Sequence, residues 1–216
     1  MANHEQTIII EHNEKEEHAH VHRDDIGSKM GMWLFLFTEV LLFGGMFLAY
    51  TIYRYKYPGE FTVAGMELST AIGTMNTIIL LTSSLTMVMS IVAVQKKSKT
   101  LAVVFLSSTM ILGVIFLINK YFEWSTKIHH GIYPGSEELM NKGNGEILFF
   151  GLYYTMTGLH ALHIIIGLIV LAFVLVFLIR DKIRSDKYVQ LENAGLYWHL
   201  VDLIWIFLFP LFYLIH

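Results

Sequence analysis

Five long, predominantly apolar runs set the pattern of the chain, over approximately 32–53, 72–94, 101–118, 147–179 and 196–215, and polar segments separate them. A helix crosses the hydrocarbon of a bilayer with about 20 apolar residues, and each run is near or above that length. The pattern predicts an all-α polytopic membrane bundle of five transmembrane helices. The fourth run is too long for a simple crossing. At about 1.5 Å per residue it would extend roughly 50 Å, so it should tilt, protrude or break near Gly158 or Gly167.

The polar remainder suggests an organisation of residues 1–28 as a cytoplasmic tail and 29–216 as one membrane domain. The tail carries five histidines, and His18, His20 and His22 alternate. That spacing suits metal binding, but it equally suits a solvated tail. The tail has no short apolar core with a cleavage site, so it does not read as a signal peptide. Lysine and arginine divide unevenly. The tail with the adjoining Lys29, the turn with Lys96, Lys97 and Lys99, and the turn with Arg180, Lys182, Arg184 and Lys187 hold 10 of the 15 basic residues. The positive-inside rule then places the N-terminus in the cytoplasm and the C-terminus outside.

Composition narrows the chemistry. Hydrophobic residues make up 55% of the 216, above the range of ordinary soluble domains. There is no cysteine, which excludes disulfides, thiolate metal sites, iron–sulfur clusters and covalent haem attachment. The net charge of −3 offers no argument for nucleic acid. No phosphate loop, nucleophile–base arrangement or cofactor fingerprint is present, so catalysis by this chain alone is not expected. Two sets of small residues at four-residue spacing occur in the second run: Ser69, Gly73 and Thr77, then Thr82, Thr86 and Ser90. Such stripes let membrane helices approach closely, so this helix should lie between neighbours.

The candidates for chemistry are the polar residues inside the apolar runs. Glu39 lies within MWLFLFTEVLLFGG, where burial disfavours a charged carboxyl and predicts a neutral one. It reads as a proton-linked or head-group contact, or as a structural carboxyl bonded to a neighbouring helix. His160 and His163 in GLHALH share one helix face, as do His199 and Asp202 in YWHLVDLIW, where Trp198, Asp202 and Trp205 form a stripe. Buried polar groups in lipid need partners. The five residues Glu39, His160, His163, His199 and Asp202 are therefore expected to form a hydrogen-bonded cluster joining the first, fourth and fifth helices. Haem ligation is the alternative, but two histidines one turn apart cannot bind opposite faces of one haem. In the third connecting segment, YFEWSTKIHHGIYPGSEELMNKGNGE, Glu123 and Trp124 read as an interfacial anchor.

Four of these motifs occur in the order found in one known family. GMWLFLFTEVLLFGGMFLAY, YFEW, GLHALHIIIG and YWHLVDLIWIFLF resemble the signatures of the cytochrome c oxidase subunit III family, from about Gly31 to the C-terminus. The resemblance implies a non-redox subunit of a haem–copper terminal oxidase, with no cofactor in this chain and with haem and copper in the partner subunits I and II. It further implies a bound phospholipid, support of proton uptake and of the stability of the catalytic subunit, a place in a larger respiratory assembly and a bacterial inner-membrane location. Glu39 matches the family's buried glutamate, and His160, His163, His199 and Asp202 match its polar positions. Seven-helix members carry two further helices before the glutamate helix, so the chain resembles the five-helix bacterial form. The competing readings are a subunit III-like accessory protein of nitric oxide reductase and an independent proton-linked transporter using Glu39. The lack of repeat symmetry and of paired broken helices speaks against the transporter.

Overall fold

The computed structural model describes residues 2–185 and 188–214, with side chains from Ile26 onward. The side chains of the His-rich tail lie outside the described residues. Helices run over α1 Ala2–Lys56, α2 Pro58–Met66, α3 Thr70–Gln95, α4 Lys99–His129, α5 Glu137–Met140, α6 Asn144–Ile179 and α7 Val189–Phe209, followed by a π-helical turn over Pro210–Leu214. Five segments are long and apolar enough to cross a membrane: Ile26–Lys56, Thr70–Gln95, Lys99–His129, Asn144–Ile179 and Val189–Leu214. The five expected spans are all present.

Two expectations are corrected. α6 is continuous through Gly158 and Gly167. These glycines are packing notches. A Cβ at Gly158 would come within 3.2 Å of the Trp124 ring, and one at Gly167 within 3.0 Å of the Trp198 ring. The second correction concerns α4, which does not end near Ile118 but continues to His129. The charges of KYFEWSTK look like the end of a span. In the fold Lys120, Glu123 and Lys127 are three and four apart, share one helix face and point inward, all buried. Paired inside protein, they do not stop the helix.

α7 is the axis of the bundle. Trp198 is buried between glycines on two neighbouring helices, with added Cβ atoms at Gly113 and Gly167 falling 2.8 and 3.0 Å from its ring. Its Nε1 donates to Ser83 Oγ on α3 at 2.7 Å. Two turns further on, Trp205 Nε1 donates to Thr77 Oγ1 at 3.1 Å. Of the small residues singled out in the sequence, Gly73, Thr77, Thr86 and Ser90 thus lie at contacts, while Ser69 and Thr82 are exposed. Gly73 leaves no room for a Cβ beside Tyr213 and Phe209. On the α4 side, Thr86 meets Thr109 at 2.8 Å, Ser90 Oγ donates to Ala102 O at 3.0 Å, and Asn119 donates to Asn76 at 2.9 Å. These bonds satisfy polar groups that lipid would leave unpaired.

α1 packs differently. Among its described side chains the buried ones are Leu36, Phe43 and Tyr50, seven apart, so one narrow seam touches α6 and α7. Glu39 lies on the same seam. Pro58 opens α2, where a missing N–H costs nothing. α2 folds back so that Glu60 accepts from Gly145 N at 2.5 Å. Gly143 provides no side-chain cap for α6, and Glu60 supplies that cap from another helix, its negative charge at the positive end of the helix dipole. At the C-terminal end, Pro210 cannot donate and crowds the preceding turn, and the chain widens into the π turn. The carbonyls of Leu211 and Tyr213 accept from Tyr50 Oη at 2.6 Å and Thr70 Oγ1 at 3.2 Å.

Candidate functional site: the buried polar groups of the bundle

The five expected residues do not form one cluster. Glu39 and His163 pair across α1 and α6, with Glu39 Oε2 2.9 Å from His163 Nε2. His199 turns to α3, where Ser84 Oγ lies 2.7 Å from its Nδ1. Asp202 is buried and faces the same Ser84 hydroxyl, although no hydrogen bond of good geometry reaches its carboxyl oxygens among the described residues. His160 is fully buried, stacked on Trp205 at 5.3 Å between ring centroids and edge-on to Phe116 at 5.6 Å, and its ring nitrogens are likewise unpartnered there. Shared membership of one helix face was legible, but helix rotation sends each residue to a different neighbour.

The Glu39–His163 contact has a definite proton count. His163 Nδ1 lies 2.7 Å from the Leu159 carbonyl. A carbonyl can only accept, so Nδ1 carries a hydrogen and a neutral ring has a bare Nε2. A bond between that nitrogen and a carboxyl oxygen needs one proton between them. Either Glu39 is a carboxylic acid donating to Nε2, or His163 is an imidazolium donating to a carboxylate. Both forms have zero net charge and differ only in where the proton sits. The pair keeps slight access to its surroundings, with side-chain exposures of 14% for Glu39 and 9% for His163. Phe43 closes one side, edge-on to the imidazole at 5.4 Å.

A second carboxylate site was not foreseen. Lys120 Nζ donates to Glu123 Oε2 at 3.2 Å, Tyr153 Oη at 3.2 Å and Tyr213 Oη at 2.8 Å. All three of its N–H bonds are used. Tyr153 and Tyr213 in turn donate to Glu123 Oε1, at 2.6 and 2.5 Å. The Trp205 ring lies under the ammonium at 5.1 Å, a cation–π contact. Glu123 therefore faces inward in a saturated cage instead of anchoring the chain at an interface. Trp124 packs on α6 at Gly158 and against Tyr154, at 5.5 Å between centroids. The i, i+3 spacing of Lys120 and Glu123 was the available signal. The tyrosines come from 30 and 90 residues further along, and no local pattern announces them.

Outside the spans, Lys142 bridges Glu67 at 2.6 Å and Glu146 at 3.1 Å. Partial burial opposes its charge, but the bonds to Glu67 and Glu146 prevail and raise its pKa above the ordinary lysine value. Among the described residues, no group of three or more histidines, aspartates or glutamates is placed to hold a metal ion.

Fold and site together define an all-α, multi-pass membrane protein with ionisable groups held between its helices. A family model described as cytochrome c oxidase subunit III matches residues 1–216. The chain belongs to that family, the subunits III of haem–copper oxidases. Cytochrome c oxidase subunit 3 of Thermostichus vulcanus is 31% identical over 200 residues, covering 92% of each chain. The probable quinol oxidase subunit 3 of Staphylococcus saprophyticus is 27% identical over 190 residues, 87% of this chain and 89% of that one. The haem-copper oxidase subunit I+III of Aeropyrum pernix is 30% identical over 205 residues. The match takes in 92% of this chain but 24% of that longer protein, so the chain spans about a quarter of its length.

Proposed function

We propose that this chain works as a non-redox subunit of a proton-translocating terminal oxidase, seated against subunits I and II in a bacterial inner membrane with its N-terminus in the cytoplasm. The oxidase takes electrons from cytochrome c or quinol, and its haem and copper lie in the partner subunits. The Aeropyrum relative, which by its name unites subunits I and III in one chain, supports the pairing with subunit I. The Lys/Arg asymmetry supports the orientation. Spans of unbroken helix through the apolar stretches of α3, α4 and α6 count against a transporter, whose sites are built from interrupted helices.

The observation that carries the role is the 2.9 Å contact between Glu39 and His163, which calls for one shared proton. A proton that moves within the pair converts two neutral groups into an adjacent ion pair, which costs less in a low-dielectric medium than one isolated charge. The pair holds a proton ready at the bundle's edge, where a neighbouring subunit or a lipid head group can exchange it. In this reading Glu39 and His163 support proton supply and sustained turnover, while His160, His199 and Asp202 fix helix packing. The test is to purify the oxidase with and without this chain and follow oxygen uptake over many turnovers. Initial activity should persist in the depleted enzyme and then decay faster than in the complete complex. Glu39→Ala should give a milder form of the same decay. Coinciding time courses would refute the role, and complete loss of initial activity in a depleted enzyme with its cofactors would make the chain catalytically essential.

A further inference from the structure

α1 and α3 both pack on α7, and a strip of α7 stays uncovered between them. On the α3 side His199 meets Ser84. On the α1 side the Phe207 ring lies 6.0 Å from that of Phe47, between centroids. Leu203 and Ile206 lie between these contacts and are exposed. Residues three and four apart share one helix face, so His199, Leu203, Ile206 and Phe207 floor a shallow groove with α1 and α3 as its walls.

An apolar groove alone calls for no particular occupant, because lipid chains cover apolar side chains well. His199 changes that. It lies near the middle of its span, about 15 Å along the helix axis from Val189, and Ser84 lies near the middle of α3. The ring is half-buried. Nδ1 is held by Ser84 Oγ at 2.7 Å, but Nε2 has no hydrogen-bond partner among the described residues. Behind it Asp202 is only 3% exposed, and its carboxyl oxygens lack partners there too. Hydrocarbon offers neither donor nor acceptor at that depth, so an unmet polar group is costly.

The ring also defines what the missing partner must do. In a neutral imidazole one nitrogen donates and the other accepts. If Ser84 donates to Nδ1, Nε2 carries the hydrogen and needs an acceptor. If Nδ1 donates to Ser84, the hydroxyl hydrogen is free to turn towards Asp202, and Nε2 needs a donor. A hydroxyl or a carboxamide answers both cases, since each donates and accepts. A lipid chain answers neither.

We propose that the strip of α7 between α1 and α3 docks a transmembrane helix of another oxidase subunit, which presents a serine, threonine, asparagine or glutamine side chain to His199 Nε2. The proposal rests on the reading of the chain as an oxidase subunit and adds the face by which it is held. His199 meets the partner, while Ser84 and Asp202 set the ring from behind.

The test uses the assembled oxidase in its membrane. The photo-reactive p-benzoylphenylalanine replaces Leu203 in the strip or, for comparison, Ile111, which is exposed on α4. Both substitutions leave His199 in place. After illumination the complex is purified in mild detergent, and adducts are located by peptide mass spectrometry. Leu203 should join a helix of another subunit, within about one turn of a serine, threonine, asparagine or glutamine. In a second arm, His199→Leu should leave the complex about threefold faster as detergent is raised, the worth of one hydrogen bond between membrane helices. His199→Gln still donates and accepts, so it should leave at close to the parent rate. Leu203 adducts with lipid alone, or with a second copy of this chain, would overturn the proposal, as would His199→Leu dissociating at the parent rate. A partner adduct at Ile111 with lipid alone at Leu203 would refute the docking face and leave the oxidase reading intact. Absence of any other oxidase subunit from the purified complex would sink that reading and the proposal with it.

Discussion

The molecule holds two buried glutamates in opposite ways. Glu123 sits on α4, where 28% of the most apolar stretch of the span is buried; Glu39 sits on α1, where the figure is 11%. Around Glu123 every donor of Lys120 is used and both carboxylate oxygens accept. Around Glu39 there is one partner and one shared proton. A saturated cage has no low-energy rearrangement, so it fixes structure. A single-proton pair has two arrangements of equal net charge, so it can change state. The same residue type thus serves as a lock at the centre and as a movable proton at the edge, and the number of partners decides which.

The largest effect should come from breaking the lock. Lys120→Met leaves a buried Glu123 without its counter-charge, which costs about 3–5 kcal/mol. Thermal unfolding in mild detergent should show it as a large loss or as failed assembly. Adding Glu123→Gln should restore most of the loss, because a neutral amide replaces the stranded charge. If Lys120→Met is no worse than Glu39→Gln, the contrast between centre and edge fails.

The next effect tests packing in the same two places. Gly167→Leu forces a side chain into the Trp198 ring and should destabilise by about 1–3 kcal/mol. Gly44→Leu on α1 puts its Cβ where nothing lies within 4 Å, and it should be neutral or slightly stabilising as a glycine leaves a helix interior. The same unfolding measurement on both variants decides whether α1 is peripheral.

Those two regions were unequally legible in the sequence. The five spans follow from apolar length alone, because lipid leaves few alternatives to a helix. Glu39 stood out because one carboxyl in an apolar run is a local anomaly, and its pairing to the GLHALH helix was within the expected cluster. The cage was hidden twice. Its lysine and glutamate looked like a span's polar end, and its tyrosines look like ordinary interfacial aromatics until the fold brings them together. Likewise His199 and Asp202 gave away a common face, while only the rotation of α7 showed that face meeting Ser84 of α3 and not Glu39.

Glu39→Gln should have a smaller effect on stability, about 1 kcal/mol, the net worth of one hydrogen bond, since the amide can still donate to His163 Nε2. What it removes is the exchangeable proton. Infrared difference spectra of the complex across a pH jump should contain a band from the Glu39–His163 pair that is absent in Glu39→Gln. A spectrum unchanged by the substitution would mean that the edge pair is as static as the cage.

The smallest effect lies outside the membrane, where Lys142 ties the Glu67 turn to the start of α6. Its pKa in the fold is above its ordinary value near 10.5. A group with a raised folded pKa stabilises while it is protonated in both states, so its contribution is complete below the ordinary value and fades as pH climbs through the folded one. The side chains are 29% and 28% exposed in the Lys142–Glu67 pair, and solvent screening limits the bond to about 0.2–1 kcal/mol. Subtracting the unfolding curve of Lys142→Gln from that of the parent cancels the titration of the other lysines. The difference should be small and constant near neutral pH and shrink in the alkaline range above about pH 10. A difference that grows with pH would reverse the sign of the linkage and show that Lys142 costs the fold more in charge burial than its two glutamates return.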